Sequence, residues 1–311
     1  MKNESPLVSV VFPCYNHEKY IIECLESIKS VDYNNIEIIM IDDGSTDNSF
    51  EIAEEWLRRN KAYFANYVIN KQENQGVCTT LNRLIKLVNG KYIAWLASDD
   101  KLVKNSLQIR VDFLEKNKDK LVVFGDARSI DEDGNILCEE FQKNIMGANK
   151  KALVCDKTRN SELILKWSVP GPVLLVDKKI YNNNLIGLYD ETLVGEDRDF
   201  FLRCMSKNIL GYIEETVAEY REVRTSLSRN KDIKKEVAPY WMLSDKKNLV
   251  NFHGIEKIFL YLTYIHQLYG VKRLHNKYAY IIQHKLLSLL LRVVYRFVNT
   301  VNNITIQFWC K

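Results

Sequence analysis

Glycine and proline are scarce in this chain, with 12 and 5 among 311 residues. Because both are common in flexible linkers, their scarcity argues against long disordered segments. No glycine lies between the first apolar run, residues 8–12, and Gly44. The chain therefore lacks the glycine-rich loop that follows the first strand in dinucleotide-binding dehydrogenases and in nucleotidyltransferases that make sugar nucleotides, which argues against both classes.

The cysteine spacing is typical of neither a disulfide-rich protein nor a zinc site. The chain has an odd number of cysteines, scattered and without a CxxC pair: Cys14, Cys24, Cys78, Cys138, Cys155, Cys204 and Cys310. This pattern argues against a disulfide framework or a zinc site and predicts free thiols in a reducing compartment. Residues 8–12 are also too short a run for the apolar core of a signal peptide. We therefore expect a cytoplasmic protein.

Negative charge is nearly absent from the C-terminal part of the chain. Residues 221–311 hold 16 Lys and Arg against 5 Asp and Glu, a net charge of +11, and the total of +4 leaves −7 for residues 1–220. No acidic residue follows Glu256. A basic tail on an acidic body indicates an anionic partner, either a membrane surface or a nucleic acid. No recognised nucleic-acid-binding module accompanies the charge, so we expect no nucleic-acid partner.

Apolar runs and helical periodicities alternate along the first half. Strands are predicted at residues 8–12, 36–41, 67–70, 92–97 and 121–125, and helices at 20–28, 50–56, 79–88 and 107–114. Such alternation predicts an α/β fold with a largely parallel sheet covered on both faces. From residue 231 the chain becomes helix-rich, aromatic and basic, which predicts a domain at 1–230 and an extension at 231–311.

Adjacent carboxylates follow the fourth predicted strand at Asp99 and Asp100. Hard oxygen ligands at a strand end suit Mg²⁺ or Mn²⁺ bridging to substrate phosphates. The same residues would equally suit the cap of the following helix. Asp43, after the second predicted strand, could accept from a base edge or a ribose hydroxyl, or serve only a turn and a cap.

Two further polar segments complete the candidate set. Tyr15 and Asn16 end the first strand and offer an aromatic face and an amide, although a loop tyrosine commonly serves packing. Glu196 and Asp197 begin an amphipathic helix, where paired acids usually compensate the helix dipole. A carboxylate there could also act as a general base.

In order and spacing, six motifs resemble those of the family 2 glycosyltransferases of GT-A fold. They are Val8-Ser-Val-Val-Phe-Pro-Cys-Tyr-Asn16, Ile41-Asp-Asp-Gly-Ser-Thr-Asp47, Asn74-Gln-Gly76, Gly90-Lys-Tyr-Ile93, Ser98-Asp-Asp100 and Gly195-Glu-Asp197. Each motif is weak alone, and their order over residues 6–230 gives the resemblance its specificity. It implies a GT-A fold, which is a Rossmann-like, mostly parallel sheet flanked by helices, here with a C-terminal helical extension.

The resemblance also implies a role for each matched residue. Tyr15 would stack near a uracil or other base, and Asp43 would accept from its imide edge. Asp99 or Asp100 would bind the metal and the ribose. The other implied nucleotide-binding residues are Pro13, Asn16, Asn74 and Gly76. The implied acceptor-side residues are Trp167, Pro170, Gly171 and Glu196.

For the reaction, the resemblance implies that Asp197 deprotonates an acceptor hydroxyl, which attacks the anomeric carbon from behind. Mn²⁺ or Mg²⁺ would stabilise the departing diphosphate. This single displacement inverts the anomeric centre. The expected donor is a UDP-sugar. A dTDP-sugar is the alternative, because thymine presents the same imide edge. The expected acceptor is a glycan or lipid-linked glycan in bacterial surface polysaccharide, O-antigen or lipooligosaccharide synthesis.

Three positions depart from the family pattern. Ala97 stands where many relatives carry a further aspartate, Leu81 where many carry arginine, and Val223 where many carry histidine. The third metal ligand is therefore open, and Arg221 or Arg224 could neutralise diphosphate or lie at the surface. The departures also leave a second hypothesis, a glycan-assembly scaffold that has lost turnover.

Residues 278–299 predict an amphipathic helix with one narrow polar stripe. The stripe consists of Lys285, Ser288, Arg292, Arg296 and Asn299, and leucine, valine and phenylalanine fill the rest. No uncharged run reaches the roughly 18–20 residues of a membrane span. The helix either lies in the plane of an anionic membrane surface, making the protein peripheral on the inner face of the plasma membrane, or packs on the catalytic domain.

Overall fold

The computed structural model describes residues 5–193, 195–223, 231–275 and 280–309. The chain divides into two compact units. The first consists of Met1–Phe141, Val169–Glu191 and Ile209–Arg221, and the second of Gln142–Ser168, Thr192–Asn208 and Glu222–Lys311. The boundary predicted near residue 231 adjoins residues 224–230, which lie outside the described residues, and it stays a prediction.

The first unit is built on one sheet, which has nine strands in the described residues. They are β1 (Val8–Cys14), β2 (Ile36–Asp42), β3 (Asn66–Lys71), β4 (Tyr92–Trp95), β5 (Lys101–Leu102), β6 (Val122–Ile130), β7 (Ile136–Cys138), β8 (Leu174–Asp177) and β9 (Leu210–Arg221). Their order is β3-β2-β1-β4-β8-β6-β9-β5, and β7 pairs with β6. The first four strands are parallel, whereas β8 runs antiparallel to both β4 and β6.

Four helices of the first unit follow the first strands. They are α1 (Ile21–Lys29), α2 (Ser49–Asn60), α3 (Val77–Leu87) and α4 (Ser106–Lys116). The apolar positions of α1 and α2 belong to one buried cluster with alternate residues of β1 and β2, among them Val8, Val10 and Phe12. All of β2 and nearly all of β1 is buried, as expected for parallel strands covered on both faces. The predicted α/β fold class is confirmed.

The regular secondary structure of the second unit is helical in its described residues. Its helices are α5 (Lys150–Val154), α6 (Asp156–Leu165), α7 (Glu196–Ser206), α8 (Lys231–Asn248), α9 (Gly254–His275) and α10 (Ile281–Trp309). In the described part of the chain, no helix combines the length and hydropathy that a bilayer span requires.

The expectation that the cysteines are free thiols is confirmed for five of them and wrong for one. Free thiols are found at Cys14, Cys24, Cys78, Cys138 and Cys204. Cys155 is disulfide-bonded. Sequence spacing could not reveal this, because tertiary structure decides which thiols meet.

Candidate active site

The polar motifs of the first unit meet at one edge of the sheet. Strands β3, β2, β1 and β4 are parallel neighbours, so the loops after their carboxyl ends lie side by side. β8 runs antiparallel to β4 with Leu175 opposite Ala94, which brings the start of β8 to the same edge. Pro170 and Gly171 directly precede β8 and therefore approach this edge too.

The loop after β1 is tied to the loop after β2. Asn16 adopts a left-handed backbone (φ 56°), and its side-chain oxygen accepts from the backbone N–H of Thr46 at 2.8 Å. Its own backbone N–H donates to Ser45 Oγ at 2.9 Å. Pro13 lies at the end of β1, beyond the last residue paired with β4, where its missing N–H costs no ladder bond. Tyr15 is left 49% exposed, with its ring free to stack on a ligand.

Asp43 joins the loop after β2 to the loop after β3. Its buried carboxylate accepts from the backbone N–H groups of Gln75 (2.8 Å) and Gly76 (3.0 Å), and from the side chain of Gln72 (2.7 Å). Gly44 has φ +83°, and a Cβ there would lie 2.8 Å from Asn74 N. A carboxylate offers about four acceptor sites, so three internal bonds leave room for one N–H from a ligand.

Asp99 is the accessible carboxylate at the end of β4. Its side chain keeps 15% of its surface exposed, and Oδ2 lies 3.9 Å from His17 Nε2. The other ring nitrogen of His17, Nδ1, lies 2.7 Å from Ser98 Oγ. Helix α4 begins only at Ser106, so the capping alternative for Asp99 does not apply.

Asp100 is buried and turned away from the edge. Its Oδ1 accepts from the backbone N–H of Arg221 at 2.7 Å, and burial, followed by the neighbouring Asp99 charge, raises its pKa well above the usual range. The two adjacent aspartates therefore differ. Asp99 faces outward, whereas Asp100 ties the loop after β4 to the end of β9.

Arg221 holds the acidic loop from behind. Its fully buried guanidinium donates to the backbone oxygens of Asp99 (2.8 Å), Asp131 (3.1 Å) and Glu132 (3.2 Å), and to the Glu23 carboxylate (2.7 Å). The guanidinium carbon also lies 4.8 Å from the centre of the Tyr20 ring. Arg221 is thus neither a surface arginine nor free to meet diphosphate, while Arg224 lies outside the described residues.

The acidic edge offers limited ligation for a metal. No cluster of three or more His, Cys, Asp or Glu side chains suited to a metal ion occurs in the described residues. Mg²⁺ and Mn²⁺ commonly take one or two protein carboxylates, with substrate phosphates and water completing the shell. Asp99 fits that donor set as a single outward carboxylate. Asp100 and Val223 add no accessible ligand, since the first is buried and the second is apolar.

The second unit holds other residues that the sequence predicted as functional, around the start of α7. Gly195 precedes the helix with φ 84°, and the half-buried Glu196 and Asp197 form its first turn. Burial, followed by the Asp197 charge, raises the pKa of Glu196 to about 7, and burial also raises the pKa of Asp197. Asp197 Oδ1 accepts from the backbone N–H of Arg198 at 2.7 Å. These carboxylates thus bind protons more readily than ordinary ones.

Trp167 packs against the same helix. Its ring meets Phe201 edge-on, with centroids 5.2 Å apart, and the Arg198 guanidinium lies 5.5 Å from its centre. Arg198 in turn donates to Asp245 at 2.9 Å, and both side chains are buried. The helix that carries Asp197 is therefore anchored by an aromatic contact and an internal ion pair.

Several residues that contact the predicted functional residues or their loops had no sequence motif pointing to them. They are His17, Gln72, Asn82 and Arg198. Arg221 was expected only to neutralise diphosphate or to lie at the surface, so its place behind the acidic loop was not predicted. Asn82 exchanges hydrogen bonds with the backbone of Tyr189 (2.9 and 3.0 Å) and donates to Glu191 at 2.9 Å. Position directly after a motif would have drawn attention to His17 and Arg198. The partners of Gln72, Asn82 and Arg221 depend on tertiary structure.

The structure is that of an α/β protein with acidic residues at the carboxyl ends of its parallel strands. Residues 9–164 match the family model "Glycosyl transferase family 2". The chain belongs to this family. It is 29% identical over 208 residues to chondroitin synthase of Escherichia coli, an alignment that covers 58% of this chain and 29% of that relative.

Solved structures share the fold. S. aureus TarS 1–349 in complex with UDP-GlcNAc superposes with a TM-score of 0.62 at 21% identity, covering 86% of this chain and 74% of TarS 1–349. Mannosyltransferase PcManGT from Pyrobaculum calidifontis, in complex with GDP-Man and Mn²⁺, gives a TM-score of 0.63 at 13% identity, covering 99% and 89%. At these identities the likeness concerns the fold.

Proposed function

We propose that this protein transfers a sugar from a nucleotide-sugar donor, a UDP-sugar in the first instance, to a hydroxyl of a glycan or lipid-linked glycan. The observation that carries the proposal is the strand edge at which Tyr15, Asp43, Asn74 and Asp99 converge. The exposed ring of Tyr15 suits stacking on a nucleotide base. Asp43 has one acceptor site left for the imide N–H of that base, and the outward carboxylate of Asp99 suits the ribose diphosphate and its metal.

The base would stack on Tyr15 while its imide N–H donates to Asp43. Asn74 and Gly76 would line the ribose, since Asp43 holds their loop in place. Uracil and thymine share the imide edge, and guanine offers an N–H there as well. The UDP-GlcNAc bound to TarS supports a uridine nucleotide, and the GDP-Man bound to PcManGT keeps GDP among the candidates.

Asp197 would take the proton of the acceptor hydroxyl. The acceptor oxygen then forms its bond to the anomeric carbon on the face opposite the diphosphate, and the bond from that carbon to the phosphate oxygen breaks. The electron pair leaves with UDP, and the anomeric configuration inverts. A divalent cation, when bound at Asp99, supplies positive charge toward the diphosphate. Trp167, Pro170, Gly171 and Glu196 are proposed to contact the acceptor sugar.

The first experiment is a thermal-shift panel of UDP, dTDP, GDP and CMP with and without Mn²⁺. A ligand at one hundred times its Kd stabilises the folded protein by about 2.7 kcal/mol. We expect the largest shift with UDP plus Mn²⁺. Tyr15→Ala should reduce the shift with and without metal, whereas Asp99→Asn should remove the metal-dependent part alone.

Matched controls separate the two neighbouring acids and the exposed rings. Asp100→Asn keeps an oxygen for the Arg221 N–H, so it should retain more of the metal-dependent shift than Asp99→Asn. Tyr63→Ala removes another exposed ring and should leave the nucleotide-induced thermal shift unchanged. A shift that is equal for all four nucleotides, or unaffected by Tyr15→Ala, contradicts the proposed donor site.

Turnover needs its own assay. UDP-sugars that bind should be incubated with glycan acceptors, and the product's anomeric configuration read by NMR. A β-linked product from an α-linked donor supports the inverting step, and an α-linked product overturns it. Binding without any transfer across the acceptor panel would favour the scaffold hypothesis.

A further inference from the structure

Helix α10 presents a continuous apolar row to solvent. Its members recur at spacings of three and four and are between 42% and 68% exposed: Ile282, Leu286, Leu289, Leu290, Val293, Phe297 and Val301. At 100° per residue they fall within a sector of about 120°. At about 1.5 Å per residue the row is on the order of 30 Å long. Soluble surfaces seldom carry so extended an apolar strip without a binding role.

The opposite side of α10 is the side that packs within the second unit. Val298 and Asn302 are buried there, Tyr295 donates to Glu162 at 2.8 Å, and Asn299 accepts from Asn149 at 3.0 Å. The helix is therefore held in place without using its apolar row. The row is a second face, free of any role in these packing contacts.

A basic row borders the apolar one. Lys285, Arg292 and Arg296 are exposed and lie along one flank of the helix, at about 80–120° from the middle of the apolar sector. None of the three forms an ion pair with a described residue. The sequence adds no acidic residue after Glu256. The flank is thus a line of uncompensated positive charge beside an apolar strip.

The apolar row and the basic row together indicate which kind of partner fits this face of α10. A second copy of the helix would bring another basic row and no acidic residue to meet it. A membrane span is disfavoured because Arg292 and Arg296 sit within the helix and no described helix meets the requirement for a span. An anionic bilayer surface offers both acyl chains for the apolar row and negative headgroups for the basic row.

We propose that α10 lies in the plane of an anionic lipid bilayer, with the row Ile282–Val301 inserted at the headgroup boundary and Lys285, Arg292 and Arg296 against the headgroups. The inference needs no turnover and does not rest on the identity of the donor. It gives the basic C-terminal part of the chain a specific partner and a specific contact face.

The test is flotation of the full chain with vesicles of phosphatidylcholine containing about 30% phosphatidylglycerol, compared with pure phosphatidylcholine. Wild type should partition about ten-fold more strongly to the anionic vesicles. The triple variant Leu286→Ser/Leu289→Ser/Val293→Ser should lose binding to both. Its control, Tyr63→Ser/Leu137→Ser, removes side chains of similar exposure elsewhere and should bind as wild type.

Charge is tested separately. Lys285→Gln/Arg292→Gln/Arg296→Gln should lose the preference for anionic vesicles and its dependence on salt. Its control, Arg58→Gln/Arg59→Gln/Lys104→Gln, removes the same charges from other exposed positions and should keep both. Light scattering after size exclusion, run on the same variants, reports the oligomeric state.

Three results would overturn the proposal. Wild type could fail to bind either vesicle, the two α10 variants could bind as their controls do, or the protein could be a dimer that the triple serine variant converts to monomer without changing flotation. The last result would assign the apolar row to a second copy. None of these outcomes affects nucleotide binding, so donor-site and membrane results are distinguishable.

Discussion

The buried guanidinium of Arg221 lies behind the acidic loop and donates hydrogen bonds to three backbone oxygens and one carboxylate. A guanidinium suits this task because its planar fork has five N–H donors in fixed directions. A lysine at the same place could satisfy only part of the set. The residue therefore positions Asp99 by a hydrogen bond to the backbone oxygen of Asp99.

Arg221→Lys should lower the free energy of unfolding by about 3 kcal/mol, since a buried charge would be left with unsatisfied neighbours. It should also weaken the Mn²⁺-dependent nucleotide shift more than the metal-free shift, because the Asp99 loop loses its support. Urea unfolding and the thermal-shift panel measure both. Arg58→Lys, at an exposed position, is the control and should be neutral within about 0.5 kcal/mol. Wild-type values for Arg221→Lys would refute the positioning role.

Asp197→Asn should reduce transfer by about 10²–10⁴-fold while leaving nucleotide binding intact, because it removes the proposed base and little volume. Glu196→Gln is the matched control on the preceding residue and should reduce the transfer rate much less. Initial rates at saturating donor give the comparison. If Glu196→Gln proves the more damaging change, the base is Glu196 and the assignment within this pair is wrong.

At the scale of elements, α7 is held by hydrogen bonds from Arg198 and Asp199 to the helix α8. Arg198 donates to Asp245 on α8, and the other oxygen of Asp245 accepts from Thr263 on α9 at 2.8 Å. Asp199 accepts from Asn248 on α8 at 2.9 Å. The helices after residue 230 thereby determine the orientation of the helix that carries the proposed base.

Asp245→Ala should destabilise the protein by about 3–5 kcal/mol, because it leaves the Arg198 charge buried without its partner. Asp245→Asn, which retains an acceptor, should cost less and should lower kcat more than it changes KM for the donor. Lys246→Ala changes the next, exposed residue and serves as control. Full activity of Asp245→Ala at wild-type stability would show that α8 does not support α7.

Helices α9 and α10 carry a stacked histidine pair whose charge is disfavoured. Burial, then His284 and Arg273, lower the pKa of His266 to about 4, and its ring lies 4.6 Å from that of His284. In the unfolded chain His266 binds a proton below about pH 6.5, whereas the folded chain resists it until about pH 4. Stability is therefore full above pH 6.5 and falls as the pH is lowered toward 4.

The loss should be about 1–2 kcal/mol, reduced by solvent because the pair is only half-buried. Chemical denaturation between pH 7.5 and 4.5 measures it. His266→Gln should flatten the slope in this window, while His253→Gln, an exposed histidine, should leave it unchanged. An unchanged slope in His266→Gln would show that other groups control acid stability.

For the whole molecule, local pattern was enough to predict the parallel half of the sheet. The near-continuous apolar residues of β1 and β2 and the polar residues directly after them follow from burial on both faces and from strand ends meeting at one edge. The predicted positions of α1 to α4 differ from the observed bounds by a few residues. The placement of Tyr15, Asp43 and Asp99 at one edge required no more than this.

The rest depends on long-range pairing that local pattern does not encode. Strand β9 has exposed glutamates in its middle, so its sequence does not read as a buried strand. The difference between Asp99 and Asp100 is set by Arg221, 121 residues further along the chain. The periodicity of α10 showed two faces but not which one the other helices of its unit would cover.

The bond between Asp100 and Arg221 has a consequence for synthesis of the protein. At about 5–20 residues per second, a ribosome needs roughly 6–24 s to add the 121 residues that separate them. During that interval the nascent chain has made all four parallel strands but cannot yet fasten its acidic loop. The acidic loop of the growing polypeptide is thus expected to reach its final geometry late, only once β9 has emerged from the exit tunnel.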